Sequence, residues 1–206
     1  MISSERVIAI FKSAGDEIIR AKDELTAIDA KFGDADHGIT MEKIANAFVS
    51  SMTGEAPGTP IKTILDDAAG AIMMINGGSA VPLWNTLFDG FAGAVESGMT
   101  EIGEADFKRM VKGGLDAVMD LTPARVGDKT MMDALIPGAE AIINSPADDI
   151  GEILRAGAEA AGNGAADTAR FISKFGRARS YKEATIGTVD AGAASMASFF
   201  AGLSKG

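Results

Sequence analysis

Apolar residues recur at three- and four-residue spacing almost from end to end of this chain, while apolar–polar alternation is rare and β-branched runs are absent. Such a period is that of helices with one buried face, so the expected class is all-α. The first stretch runs from Ser3 to about Ala30, with Val7, Ile8, Phe11, Ile18, Ile19 and Leu25 on one side. A second runs from Gly38 to Ser51. Thr59 reads as a cap and Pro60 as the opening of a third helix reaching Ile75, where Asn76-Gly77-Gly78 stops it. Pro82 opens a fourth, Leu83 to Ser97, and a fifth spans Glu104 to about Leu121. A sixth covers Asp128 to Asn144, with a kink expected at Pro137-Gly138. Ser145-Pro146 and Asp148 precede a seventh, Asp149 to about Gly162; an eighth is expected at Ala165 to Phe175, and a last at Ala191 to Leu203. Gly176 to Val189 reads as irregular. Met73, Met74, Met131, Met132 and Trp84 fall at helical spacing and read as core, with contact of any of them to a ligand such as a purine ring as the lesser reading. No linker or fixed-period repeat divides the chain, so residues 1–206 read as one domain.

Composition narrows the chemistry. There is no cysteine, which excludes disulfides, thiol nucleophiles and zinc–thiolate sites and makes a reducing cytoplasm the natural compartment. A formal net charge of −10 argues against a nucleic-acid partner. The longest apolar windows, such as Ala191 to Leu203, are too short to cross a bilayer, so no membrane association is expected.

One run stands apart: Asp29-Ala30-Lys31-Phe32-Gly33-Asp34-Ala35-Asp36-His37-Gly38. Three carboxylates fall within eight residues, between the end of one helix and the start of the next. Hard oxygen ligands converging on a loop suit Mg2+, and a helix N-terminus beside them offers free N–H groups and the positive end of the dipole to an anion. Taken together these features suit a polyphosphate held through divalent ions. The same run is also compatible with a plain acidic loop. His37 is the only histidine of the chain and lies inside it.

Four further loops sit at helix ends: Asn76-Gly77-Gly78-Ser79-Ala80, Gly127-Asp128-Lys129-Thr130-Met131-Met132-Asp133, Gly176-Arg177-Ala178-Arg179-Ser180-Tyr181 and Asp190-Ala191-Gly192-Ala193. Each alone is consistent with an ordinary turn or cap. In an up-and-down helical array alternate loops gather at one end, where several of these could form one mouth. The glycine turn lacks the spacing of a P-loop.

In this order the blocks Gly33-Asp34-Ala35-Asp36-His37-Gly38, Gly77 to Leu83, Gly127-Asp128-Lys129-Thr130-Met131, Gly176-Arg177-Ala178, and Ile186-Gly187 with Asp190 to Ala193 resemble the nucleotide-binding L subunit of dihydroxyacetone kinase. The resemblance covers almost the whole chain. It implies a closed barrel of about eight antiparallel amphipathic helices with the nucleotide, ADP or ATP, at one end. It implies that Asp29, Asp34 and Asp36 bind two Mg2+ ions, with His37 and Thr40 beside the phosphates at the start of the second helix. Ser79 and Ala80 would contact phosphate, Thr122 and Met131 would lie near the base, and Arg177 near the phosphates. Asp190, Ala191 and Gly192 would close over the nucleotide. The chain departs from the family pattern where Ser79-Ala80 are swapped, where Val81 replaces a glycine, where Thr40 stands for Asn and Ala191 for Pro, and where Arg179 stands for Ser. Three carboxylates and an ADP carry about −6 together and two Mg2+ supply about +4, leaving the rest to Arg177 and helix N-termini.

In this family a separate K subunit captures the ketone through its own histidine, and His37 is already committed to the acidic loop. The chain therefore reads as the nucleotide half of a kinase for dihydroxyacetone or a larger ketose, with a phosphotransferase-system M subunit rephosphorylating bound ADP. Two alternatives stand beside this: a nucleotide-sensing module that docks on a transcriptional regulator, and a carboxylate–metal phosphohydrolase.

Overall fold

A computed structural model describes residues 1–206. The helices are α1 (Ser4–Arg20), α2 (Lys22–Asp29), α3 (His37–Thr53), α4 (Ile61–Met73), α5 (Ala80–Gly93), α6 (Glu104–Leu121), α7 (Met132–Ile143), α8 (Ile150–Asp167) and α9 (Ala191–Leu203). With α1 and α2 counted as one stave, each helix packs on the next from α3 to α9, and α9 packs back on α1, closing a barrel of eight staves.

Polar ties identify the two ends. At one end Ser4 donates to the carbonyl of Thr59 (2.7 Å), the N–H of Ile61 to Met99 (2.8 Å) and the Lys108 ammonium to Ser145 (2.9 Å), so α1, α4, α6 and α8 all start there. Short connections then make neighbours antiparallel, and α3, α5, α7 and α9 start at the other end. Every large exposed apolar side chain except Met1 lies at that second end: Ile39, Met73, Met74, Leu121, Val126, Ile172, Tyr181 and Ile186.

The buried apolar side chains form one continuous core. Its axis is aromatic: Phe199 of α9 meets Trp84 (ring centroids 5.2 Å apart), Phe11 (6.0 Å) and Phe48 (6.5 Å), while Phe88 meets Phe48 at 5.0 Å. Burying each such ring stabilises the fold by roughly 1.5–3 kcal/mol, and their mostly edge-to-face arrangement adds to that. Small residues let the staves close: a Cβ built on Gly90 of α5 would meet the Gly113 carbonyl of α6 at 2.5 Å.

Several boundaries differ from the sequence expectation. The first helix breaks at Ala21 into α1 and α2, and α2 leans onto the first turn of α3. Pro60, with no side-chain cap from Thr59, precedes Ile61. α4 ends at Met73 instead of Ile75, and α5 ends at Gly93 instead of Ser97. α7 begins at Met132, because the preceding residues wrap around the Asp133 carboxylate, which accepts the N–H groups of Gly127 (2.6 Å) and Thr130 (2.7 Å). It continues unbroken through Pro137. α8 runs on to Asp167, so the expected helix at Ala165 to Phe175 shrinks to a single 3₁₀ turn, Thr168–Arg170. The stretch after Gly176 holds a second 3₁₀ segment, Arg177–Thr185, interrupted at Lys182 (φ 49°). Ile2–Ser3 and Glu101–Ile102 form a two-residue antiparallel bridge, too short to give an alternating pattern. Met131, Met132 and Trp84 are buried, but Met73 and Met74 are 60% and 85% exposed where α4 runs out, which corrects their reading as core. No helix is long and apolar enough to cross a membrane.

Candidate functional site

The loop between α2 and α3 is built by its own backbone. The Asp29 carbonyl accepts the N–H groups of Phe32 (3.1 Å) and Gly33 (2.6 Å), which ends α2 in a tight turn. Ala35 then takes a left-handed conformation (φ 61°), unusual for a residue with a side chain. The chain doubles back, and the Asp29 carboxylate accepts the N–H groups of Asp36 (3.2 Å) and His37 (3.4 Å) at the start of α3. One carboxylate oxygen each from Asp29, Asp34 and Asp36 comes within 4.8 Å of the other two. Burial, then the Asp34 and Asp29 charges, push the Asp36 carboxyl above its ordinary value, with Arg177 pulling the other way. Arg177 forms an ion pair with Asp34 across the mouth.

His37 is half-buried behind this cluster. Desolvation pushes its imidazole below the ordinary value, against the pull of Asp29, Asp36 and a hydrogen bond to the Ala191 carbonyl. Its Nε2 lies 3.1 Å from the Ser195 hydroxyl, which itself donates to the Gly192 carbonyl at 2.9 Å.

The acidic loop forms one lip of a cleft of about 540 Å³. Thr40 lies one turn into α3, buried against the glycine turn that leads to α5; a Cβ on Gly77 would meet its methyl at 3.0 Å. Ser79 precedes α5 with its hydroxyl unengaged by any cap; the Val81 N–H is taken by the Gly78 carbonyl (3.2 Å) and Pro82 has none, which leaves the Ala80 N–H at this helix start, beside the cleft. Thr122, Met131, Leu83 and Trp84 make the more apolar wall. Asp190 caps α9 by accepting the N–H of Ala193 (2.8 Å), and Ala191 and Gly192 follow along the rim. Burial pushes the Asp190 carboxyl up to about 7; the Ala193 N–H opposes that, Asp133 adds to it, and Lys129 opposes it. The site residues implied by the resemblance all line one cleft: Asp29, Asp34, Asp36, His37, Thr40, Ser79, Ala80, Thr122, Met131, Arg177, Asp190, Ala191 and Gly192; Asp128 and Arg179 of the same loops do not.

For other residues of the site, nothing in the sequence signals the contacts they make. Ser195 orients His37 from 158 positions away. Lys129 and Asp133 are buried charges, and Lys129 lines the cleft. Phe32 and Tyr181 bring their rings to 5.2 Å, a second bridge between the acidic loop and the segment carrying Arg177. That segment, 167–183, carries Arg170, Lys174, Arg177, Arg179 and Lys182 against only Asp167 and Glu183, a local excess of positive charge in an acidic protein.

Chemically, the mouth offers hard oxygen donors for a divalent cation, helix N-termini and a guanidinium for an anion, and an apolar wall for a flat ring. A family model described as the DAK2 domain matches residues 31–205. The PEP-dependent dihydroxyacetone kinase 2, ADP-binding subunit DhaL, of Listeria innocua serovar 6a is 34% identical over 191 residues, covering 90% of this chain and 87% of the relative. The corresponding ADP-binding subunit DhaL of Escherichia coli K12 is 28% identical, with 95% of this chain and 93% of the relative covered. The D-erythrulose kinase of Mycolicibacterium smegmatis is 33% identical over 93% of this chain, which spans only 33% of that kinase. Among solved structures, the dihydroxyacetone kinase from C. freundii in complex with AMP-PNP and Mg2+ shares the fold, with a TM-score of 0.75 at 24% identity over 97% of this chain and 33% of that one.

Proposed function

The chain belongs to the DAK2-domain family, and from that premise we propose that it is the nucleotide-bearing subunit of a kinase for dihydroxyacetone or a related ketose, with residues 1–206 acting as one domain in the cytoplasm. The observation that carries this reading is the convergence of three carboxylates, two helix N-termini and Arg177 at one mouth with an apolar wall behind it. The Listeria relative, whose length this chain nearly spans, is named as an ADP-binding subunit.

Asp29, Asp34 and Asp36 fit Mg2+: all three are hard oxygen donors, and their ligand atoms are close enough to share an ion. Two ions are proposed, because three carboxylates and a nucleoside diphosphate carry about −6 between them. When bound, such ions would neutralise phosphate charge. The protein's own groups do the rest. N–H groups at the start of α3 and the Ala80 N–H, with the Thr40 and Ser79 hydroxyls, bind phosphate oxygens. Arg177 exchanges Asp34 for phosphate. His37, held by Ser195, lies beside the phosphates at the start of α3. Thr122 and Met131 border the base, and Asp190, Ala191 and Gly192 cover the nucleotide.

No second histidine is available to capture a ketone. The ketone is therefore presented by a separate K-type subunit. The exposed apolar ring around the mouth, including Ile39, Met73 and Met74, supplies a surface for it. The relatives' description as PEP-dependent supports a phosphotransferase-system M-type subunit that rephosphorylates ADP in place.

The test is reconstitution. The chain alone with Mg–ATP and dihydroxyacetone should give no sugar phosphate, and adding a K-type subunit should start the reaction. Steady release of inorganic phosphate by the chain alone would contradict the proposal, as would inactivity with every K-type subunit that supports a known L subunit.

A further inference from the structure

Lys129 lines the cleft, and a lysine beside a phosphate site is ordinarily taken for a phosphate ligand. Its surroundings say otherwise. The side chain is 3% exposed, and its ammonium donates to the carbonyls of Thr168 (2.7 Å), Thr185 (2.9 Å) and Thr188. An ammonium has three protons, and all three are spent. Those carbonyls belong to the two ends of one excursion of the chain: Thr168 where it leaves α8, Thr185 and Thr188 where it returns to α9. The same neck is fastened by the Gly187 N–H to Ala169 (2.7 Å) and the Asp190 N–H to the Thr168 hydroxyl (2.9 Å). Outboard of the neck, the segment reaches over the mouth to pair Arg177 with Asp34 and Tyr181 with Phe32. Lys129 itself holds a left-handed backbone (φ 60°), which a residue with a long side chain keeps only where its surroundings over-determine it.

We propose that Lys129 is a positioning residue: by closing the neck of the 168–188 segment it holds Arg177 over the phosphates, and it does not touch the nucleotide. This rests on the nucleotide reading above. The neck is clamped by a cation because three carbonyls turned to one point need three donors, and a buried ammonium supplies them at a single atom. Asp133 and Asp190 lie near enough to offset its charge.

Mg–ADP affinity is measured for wild type, Lys129→Met, Arg177→Ala and the double variant, with Lys129→Gln, which keeps two donors, alongside. Lys129→Met should weaken binding on the order of ten-fold, matching Arg177→Ala, and the double variant should be no weaker than the worse single one, as for two residues acting through one contact. Lys129→Gln should recover part of the loss. Additive losses would make Lys129 a phosphate ligand and overturn the proposal; so would a lowered melting temperature with unchanged affinity, which is a structural role alone. Two readouts need no nucleotide-binding variant. In nucleotide-free protein, trypsin should cut after Arg177 and Arg179 faster in Lys129→Met and Lys129→Gln than in wild type, and equal rates would refute the clamp. In wild type, Lys129 should resist amine acetylation with and without Mg–ADP, whereas labelling that nucleotide blocks would refute it. If wild type binds no Mg–ADP, the nucleotide reading fails, and the trypsin comparison still decides whether Lys129 holds the segment.

Discussion

Asp190 couples the cap of α9 to the stability of the empty site. Its carboxyl is held up to about 7, against an ordinary 3.8, so between those values the folded protein keeps a proton that the unfolded chain has lost. The stabilising contribution of that proton is complete below the ordinary value and is lost as pH rises through the folded one. Asn at this position still caps a helix but cannot ionise. From about pH 5 to pH 8, the urea midpoint of the nucleotide-free protein should fall more steeply in wild type than in Asp190→Asn. Parallel curves would contradict the assignment; Asp36 and His37 titrate in both proteins and drop out of the comparison. The same scale sets what a sequence can disclose. Asp29, Asp34 and Asp36 are legible because their grouping is local. Lys129, whose acceptors lie 39, 56 and 59 positions away, is not, and neither is the tie from Ser195 to His37.

Helices position these residues by how closely they approach. α2 delivers Asp29 because it lies almost on the backbone of α3. A Cβ on Gly38 would meet the Lys22 carbonyl at 2.1 Å and the Thr26 hydroxyl at 2.3 Å, and neither atom can yield without moving α2. Gly38→Ala should cost about 1–3 kcal/mol of stability through overpacking. It should also weaken Mg–ADP binding by shifting Asp29; calorimetric titration beside a denaturant melt checks both. Unchanged affinity would mean that α2 does not set the position of Asp29. This approach also accounts for the break at Ala21, which no breaker residue announces: the helical period continues through it, and only the packing of α2 on α3 requires a bend. The late start of α7 has a similar origin. Asp128 resembles a cap in sequence, but it accepts from Arg125 (2.8 Å) and pairs with Lys174 (2.6 Å), while Asp133 draws the preceding loop around itself.

At the scale of the molecule, the ring of eight staves puts one set of loops at one end, and with them the acidic cluster, the basic segment and nearly all the exposed apolar side chains. Helical periodicity and the antiparallel order make this gathering legible in the sequence, whereas the exposure of Met73 and Met74 is not, since an apolar residue in the last turn of a helix looks the same whether the next stave covers it or ends short. A net charge of −10 would repel a diphosphate from such a mouth unless cations intervene. The most direct measurement is therefore titration of ADP into the protein with Mg2+ and with chelator, for wild type and for Asp34→Asn and Asp36→Asn, with circular dichroism as the check on folding. Wild type should bind ADP tightly with Mg2+ and lose at least about 100-fold with chelator, roughly 2.7 kcal/mol, and each variant should lose a similar amount with its helical signal intact. ADP bound with native affinity in chelator, or by both variants, would show that the diphosphate is held by something other than metal on these aspartates.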